Sequence, residues 1–143
     1  MHGKVIFYDG HYSVALCRRH PDKIFVFGDN MIGKGKGGQA IIRDELNTFG
    51  VPTKRLPSNK PGSFFRDRCQ QDIDGVERAL TELKGILDSG KTVVVPTTKE
   101  KDISLGLGLA QLNTKAPHLY GHMCILIDAM ALGRVAFASE GDL

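Results

Sequence analysis

Five glycines fall within residues 28–38 of the segment FGDNMIGKGKGGQA, directly after the apolar run KIFVF. Glycine adopts positive φ without steric cost, so successive backbone N–H groups in such a loop can converge on one anion. A helix starting immediately afterwards adds the partial positive charge of its N-terminus. The chain must therefore place a buried strand before the loop and a packed element behind it. The segment reads as a strand-end loop that cradles the phosphate groups of a small ligand.

The rest of the pattern supplies such a frame. Residues 4–8 (KVIFY) and 23–28 (KIFVFG) read as short buried strands, with one or two helical turns between them over Ser13 to Arg19. Ala40, Ile41, Ile42, Leu46 and Phe49 predict a helix from Gln39 to Phe49, ended by Gly50. The prolines hold VPTKRLP extended, and Asn59-Lys60-Pro61-Gly62 is a turn. Over residues 70–88, Ile73, Val76, Leu80, Leu83 and Leu87 recur at helical spacing until Ser89-Gly90 stops the run. KTVVVP lacks alternation, as a strand buried on both faces should. A second loop, Thr97 to Gly108, leads to an apolar helix over Ala116 to Leu132, with Gly133 as its cap.

Strands alternating with helices predict an α/β fold, a three-layer α/β/α sandwich with a mixed, partly parallel sheet. At 143 residues the chain forms a single domain over 1–143. Ligands of such folds bind beyond the carboxyl ends of the strands, where both glycine-rich loops begin, so the two loops are expected to share one cleft.

Composition narrows the setting. Hydrophobic residues at 41% and charged residues at 24% fit a globular protein with no membrane span, and MHGKVIFYDG lacks the long apolar region of a signal peptide. Cys17, Cys69 and Cys124 are dispersed and form no CxxC pair, which argues against a disulfide framework, a zinc ribbon or thioredoxin-type chemistry. A cytoplasmic location is expected. The net charge of +3 is unevenly spread: Asp29 to Arg68 holds eight basic and four acidic residues. That local +4 favours an anionic ligand. Nucleic acid is open on charge, but no tryptophan and few aromatics stand near the basic residues to form a stacking platform.

Three motifs overlap in the first loop. Gly28 to Lys34 spells GxxxxGK, but Gly35 stands where a P-loop needs Ser or Thr for magnesium. Gly37 and Gly38 would weaken the following helix by about 1 kcal/mol each. CILID, ending at Asp128, has the look of a Walker B strand in helical surroundings. Gly33, Gly35 and Gly38 also fit GxGxxG, yet they start well past the strand end and no acidic residue near position 55 awaits a ribose. Third, VFGDNMIGKGKGGQAIIRDELN resembles the first ligand loop of macro domains and of macro-like relatives with VFGSN-x-x-G-x-x-G-x-G-A. VVVPTTKEKDISLGLGLAQL resembles their strand–Pro–Gly-rich diphosphate loop, and GVPTKRLPS resembles the IPTK stretch of the macro-like relatives.

This resemblance implies binding of ADP-ribose or a related NAD-derived nucleotide, and ADP-ribosyl hydrolysis as the activity such a site supports. Asn30 would contact the distal ribose, with Gly28, Gly33, Gly35, Gly37 and Gly38 around that ribose and its phosphate. Thr97, Ser104, Leu105, Gly106, Leu107 and Gly108 would line the second loop, with backbone donors from Leu105 to Leu109 on the diphosphate. The acidic residue that reads adenine has no clear counterpart; Asp9, ending the first strand, is the candidate. An ADP-ribosylated macromolecule is the implied partner, with no cofactor and no metal.

Hydrolysis needs a nucleophile or activated water at the anomeric carbon and help for the leaving group. Asp29, Lys34 and Asp102 are the candidate catalytic residues, with Lys99 and Glu100 beside them. Lys34 would form an adduct with an opened sugar or neutralise phosphate; Asp102 would act as a base or stay a solvated carboxylate. No catalytic pair is selected, so binding without turnover, as a sensor or sequestering protein, stays open. His118 and His122 have zinc spacing but no third ligand, and Ser104 in DISLG is not a nucleophile elbow. Cys17 reads as a small buried thiol. Gly37→Val is expected to abolish binding by opposing a positive φ.

Overall fold

The computed structural model describes residues 3–131 and 138–143. Four strands form one sheet: β1 (Val5–Asp9), β2 (Lys23–Asn30), β3 (Thr48–Lys54) and β4 (Thr92–Thr97), in the order β1-β4-β2-β3. The helices are α1 (Val14–Arg19), α2 (Gln70–Asp88), α3 (Leu112–Lys115) and α4 (Pro117–Met130), with a 3-10 turn at Gly38–Ile42. The fold is therefore α/β.

Each of the three strand pairings is parallel, with Val5 opposite Val93, Phe25 opposite Val94 and Val26 opposite Phe49. The mixed sheet expected from the sequence is corrected here. Antiparallel pairing among the described residues is confined to the isolated bridges Lys54–Phe64 and Thr97–Ile103. Every strand-to-strand connection is a crossover, and crossovers return the chain in the same direction.

Both faces of the sheet are buried, which explains the unbroken apolar runs. Val5, Phe7, Val26, Val51, Val93 and Val95 pack with Val76, Leu80 and Leu83 of α2 and Leu119, Met123 and Ile127 of α4. On the other side Phe25, Phe27 and Val94 meet Leu16 and Cys17 of α1 and Ala40 and Ile42 of the 3-10 turn. Ser13 starts α1 by accepting a hydrogen bond from the Leu16 amide at 3.0 Å.

The helix expected over Gln39–Phe49 is absent. Only Gly38–Ile42 coils, as a 3-10 turn, and Thr48 onward belongs to β3. Ile41 and Leu46 are exposed, so the apparent apolar period marks no buried face. Asn47 ends any helical course: its side-chain amide donates to the carbonyls of Cys17, His20 and Lys23, each at 3.0 Å, and its own carbonyl accepts from Phe25. CILID lies within α4 and is helical, not a strand. Leu132 and the expected cap Gly133 lie outside the described residues.

The chain leaves β2 toward the α1 face and leaves β4 toward the α4 face. Neighbouring strand ends thus send their loops apart, and a crevice opens above the sheet between them.

Candidate functional site

Two cavities adjoin at the carboxyl ends of the strands. One, of about 430 Å³, lies between the ends of β2 and β3 and the 104–110 loop. The other, of about 720 Å³, covers the ends of β1 and β4. Gly38, Gln39 and Ser104 line both.

The first loop is held by its own polar side chains. Asn30 accepts from the amides of Ile32 (3.1 Å) and Lys34 (3.4 Å) and donates to the Lys34 carbonyl at 2.7 Å. Arg43 pairs with Asp29 at 2.5 Å, donates to the carbonyls of Gly35 and Lys34, and lies over the Phe27 ring. Gly33, Gly35 and Gly38 have φ of 64°, 94° and 57°. Gly37 does not: its φ is −77°, so the conformational argument for Gly37→Val fails and passes to Gly35 and Gly38.

The second loop approaches the first as closely as its residues allow. Gly106 has φ 81°, and a Cβ there would meet Leu112 Cβ at 2.8 Å and Thr53 Cβ at 2.9 Å. Gln39 braces the two loops by accepting from the Gly28 amide at 2.9 Å while donating to Ser104. Among the described residues, the backbone amides of Gly35, Gly37 and Gly38 have no protein acceptor, nor do those of Gly106 and Gly108 across the cleft. Five glycine donors are left for solvent or a ligand.

Lys54 forms part of the wall. The residue is only 8% exposed and its ammonium lies over the Phe64 ring at 4.9 Å, with no carboxylate or hydrogen-bond partner for that ammonium among the described residues. Burial pulls its pKa below the ordinary lysine value. A buried cation is normally paired, because desolvating it alone is costly. Here the open side faces the cleft. Leu109 and Pro57 form an apolar lip beside it.

The sequence-derived residues divide accordingly. Gly28, Asp29, Asn30, Lys34, Gly35, Gly37, Gly38, Ser104, Gly106 and Gly108 line the smaller cavity. Asp9, Thr97 and Lys99 line the larger one, and the Thr97 hydroxyl is buried without a partner among the described residues. Gly33 borders a separate depression on the outer side of β2 and β3. Leu105 is fully buried in the core, and Leu107 lines neither cavity. Asp102 and Glu100 are exposed and also line neither. Asp29 is held in its ion pair, and the Asn30 amide is occupied by loop contacts.

Gln39, Arg43, Thr53 and Lys54 are the residues that motif reading passes over. Lys54 carried one sequence signal: a lysine closing a strand of otherwise uncharged residues, TFGVPTK. His122 pairs with Glu77 at 2.8 Å, and His118 lies at the start of α4 beside Asp67. Burial pushes the Cys17 thiol up to about 11, and Glu45 adds to the shift.

A model of a family of unknown function, DUF7831, matches residues 7–125. The chain belongs to the DUF7831 family. The matched span runs from β1 into α4, so both glycine-rich loops, Gln39 and Lys54 lie within the family's common region. No curated protein and no solved structure matches the chain.

Proposed function

We propose that this DUF7831 member binds a phosphate-bearing, NAD-derived nucleotide of the ADP-ribose type in the cleft at the strand ends. The observation that carries the reading is Lys54, a lysine buried along its stem whose ammonium opens on the cleft without an anionic partner among the described residues, beside five glycine amides that have no protein acceptor. An anion there would pair the cation and satisfy the donors together. The ADP-ribose class rests on the likeness of both loops to those of macro-like proteins, and with it goes the reading of the covered sheet as a three-layer α/β/α sandwich. The larger cavity gives the rest of such a ligand room beyond its phosphates.

Calorimetry with ADP-ribose, ATP and inorganic pyrophosphate tests this. ADP-ribose is expected to bind in the micromolar range and Lys54→Met to weaken it at least tenfold. Absence of any heat with ADP-ribose at millimolar concentration would sink the proposal.

A second reading, release of an ADP-ribosyl group from a carrier, is favoured by the lowered pKa of Lys54. Desolvation raises the share of neutral amine, the nucleophilic form. This moves to Lys54 the covalent role first considered for Lys34. Incubation with ADP-ribose and cyanoborohydride should then leave a reduced sugar adduct on the Lys54 peptide, detected by mass spectrometry.

A further inference from the structure

The charge around the cleft is not balanced by the fold. Of the eight cations between Asp29 and Arg68, three are neutralised: Lys36 by Asp44, Arg43 by Asp29 and Arg55 by Asp72. Lys34, Lys54, Lys60, Arg66 and Arg68 have no carboxylate partner among the described residues, although that stretch holds four acids. The other acids are also engaged. Glu45 pairs with Arg18, and Asp67 accepts from the His118 and Leu119 amides at the start of α4. The local surplus is therefore displayed as unpaired cations.

Four of them lie on β3 and the connection that follows it. Lys54 in the cleft wall and Lys115 at the end of α3 both reach the Phe64 ring, at 4.9 and 4.8 Å. Phe64 is central to the connection between β3 and α2, where Lys60, Arg66 and Arg68 are all exposed. Arg68 takes a left-handed φ of 61°. Phe64 and Phe65 are buried, so the aromatic residues of this stretch are not offered to a bilayer. Several separate, exposed cations on one connection fit a polymer with a charge at every repeat.

We infer that this rim binds the phosphodiester backbone of a nucleic acid running past the mouth of the cleft. The inference goes beyond the nucleotide reading and does not depend on it. Contact is electrostatic and independent of sequence, as backbone recognition by Lys and Arg is. The lack of an exposed aromatic platform then matters little, because no base needs to stack.

Fluorescence anisotropy with a labelled 15-nucleotide single strand and the matching duplex, at 50 and 200 mM salt, tests it. Three phosphate contacts by Lys60, Arg66 and Arg68 predict a single-strand log–log salt slope of about −2, or roughly 20-fold weaker binding at the higher salt. K60E/R66E should weaken binding at least tenfold at 50 mM salt while leaving ADP-ribose affinity unchanged. R68N keeps a residue that tolerates left-handed backbone and should weaken it several-fold. No binding at 50 mM salt, binding indifferent to these variants, or binding only to phosphatidylserine vesicles would each overturn the inference. Strand binding without ADP-ribose binding would leave it standing and remove the nucleotide proposal instead.

Discussion

The side-chain amide of Gln39 donates to both the carbonyl and the hydroxyl of Ser104, each at 3.2 Å, across 65 residues of sequence. Its carbonyl oxygen accepts from Gly28 at the same time. One side chain thus sets the separation of the two loops. Gln39→Ala is expected to cost about 1–2 kcal/mol, since it strips a partner from the partly buried Gly28 amide. Affinity for ADP-ribose should fall about tenfold, and Gln39→Glu should not restore it, because a carboxylate cannot donate to Ser104. Chemical denaturation and calorimetry on the two variants check both effects.

The glycines of the second loop should separate by position. Gly106→Ala meets two carbon atoms inside 3.0 Å and a φ of 81°, so a loss of more than about 2 kcal/mol is expected. Gly108→Ala, with nothing within 4 Å of the new methyl, should leave stability within about 0.5 kcal/mol of the parent. Equal melting temperatures for the two variants would show that the close approach of Gly106 to Thr53 is wrong.

These positions also mark how far the sequence could be read. Strands β1, β2 and β4 and helices α2 and α4 were legible because their apolar runs coincide with burial: Val93, Val94 and Val95 are fully buried. The 39–49 region misled because Ala40 and Ile42 are buried while Ile41 and Leu46, read as part of the same period, are exposed. What decides that region is the Asn47 side-chain amide, 3.0 Å from three carbonyls 24 to 30 residues away, which no local pattern encodes. The cleft's glycines were legible as punctuation. Gln39 was not, and Lys54 showed only as the charge closing its strand, because their importance arises from Ser104 and Phe64, brought beside them only by the fold.

Lys54 should display a trade between stability and binding. Removing a partly desolvated cation without an anionic partner relieves some desolvation cost, against a cation–π contact worth about 1 kcal/mol. Lys54→Met is therefore expected to melt no lower than the parent while losing pyrophosphate binding. A large drop in melting temperature would assign the residue to the core and not to the ligand.

The C-terminal residues supply a prediction in pH. Glu140 receives Arg19 Nε at 2.7 Å and His20 Nε2 at 3.1 Å, fastening the end of the chain beside α1. Hydrogen bonds first from Arg19 and then from His20 hold its carboxyl at about 2, below the ordinary 4.5. A depressed pKa means the unfolded chain binds the proton more readily, so the contribution is full above pH 4.5 and disappears as pH falls toward 2. The pair is exposed, so salt should shrink it. Melting curves of the parent and Glu140→Gln should differ at pH 6 and low salt, converge between pH 4.5 and 2, and lie closer together in 1 M salt. A difference that persisted unchanged at pH 2 would mean that packing, not charge, fastens this end of the chain.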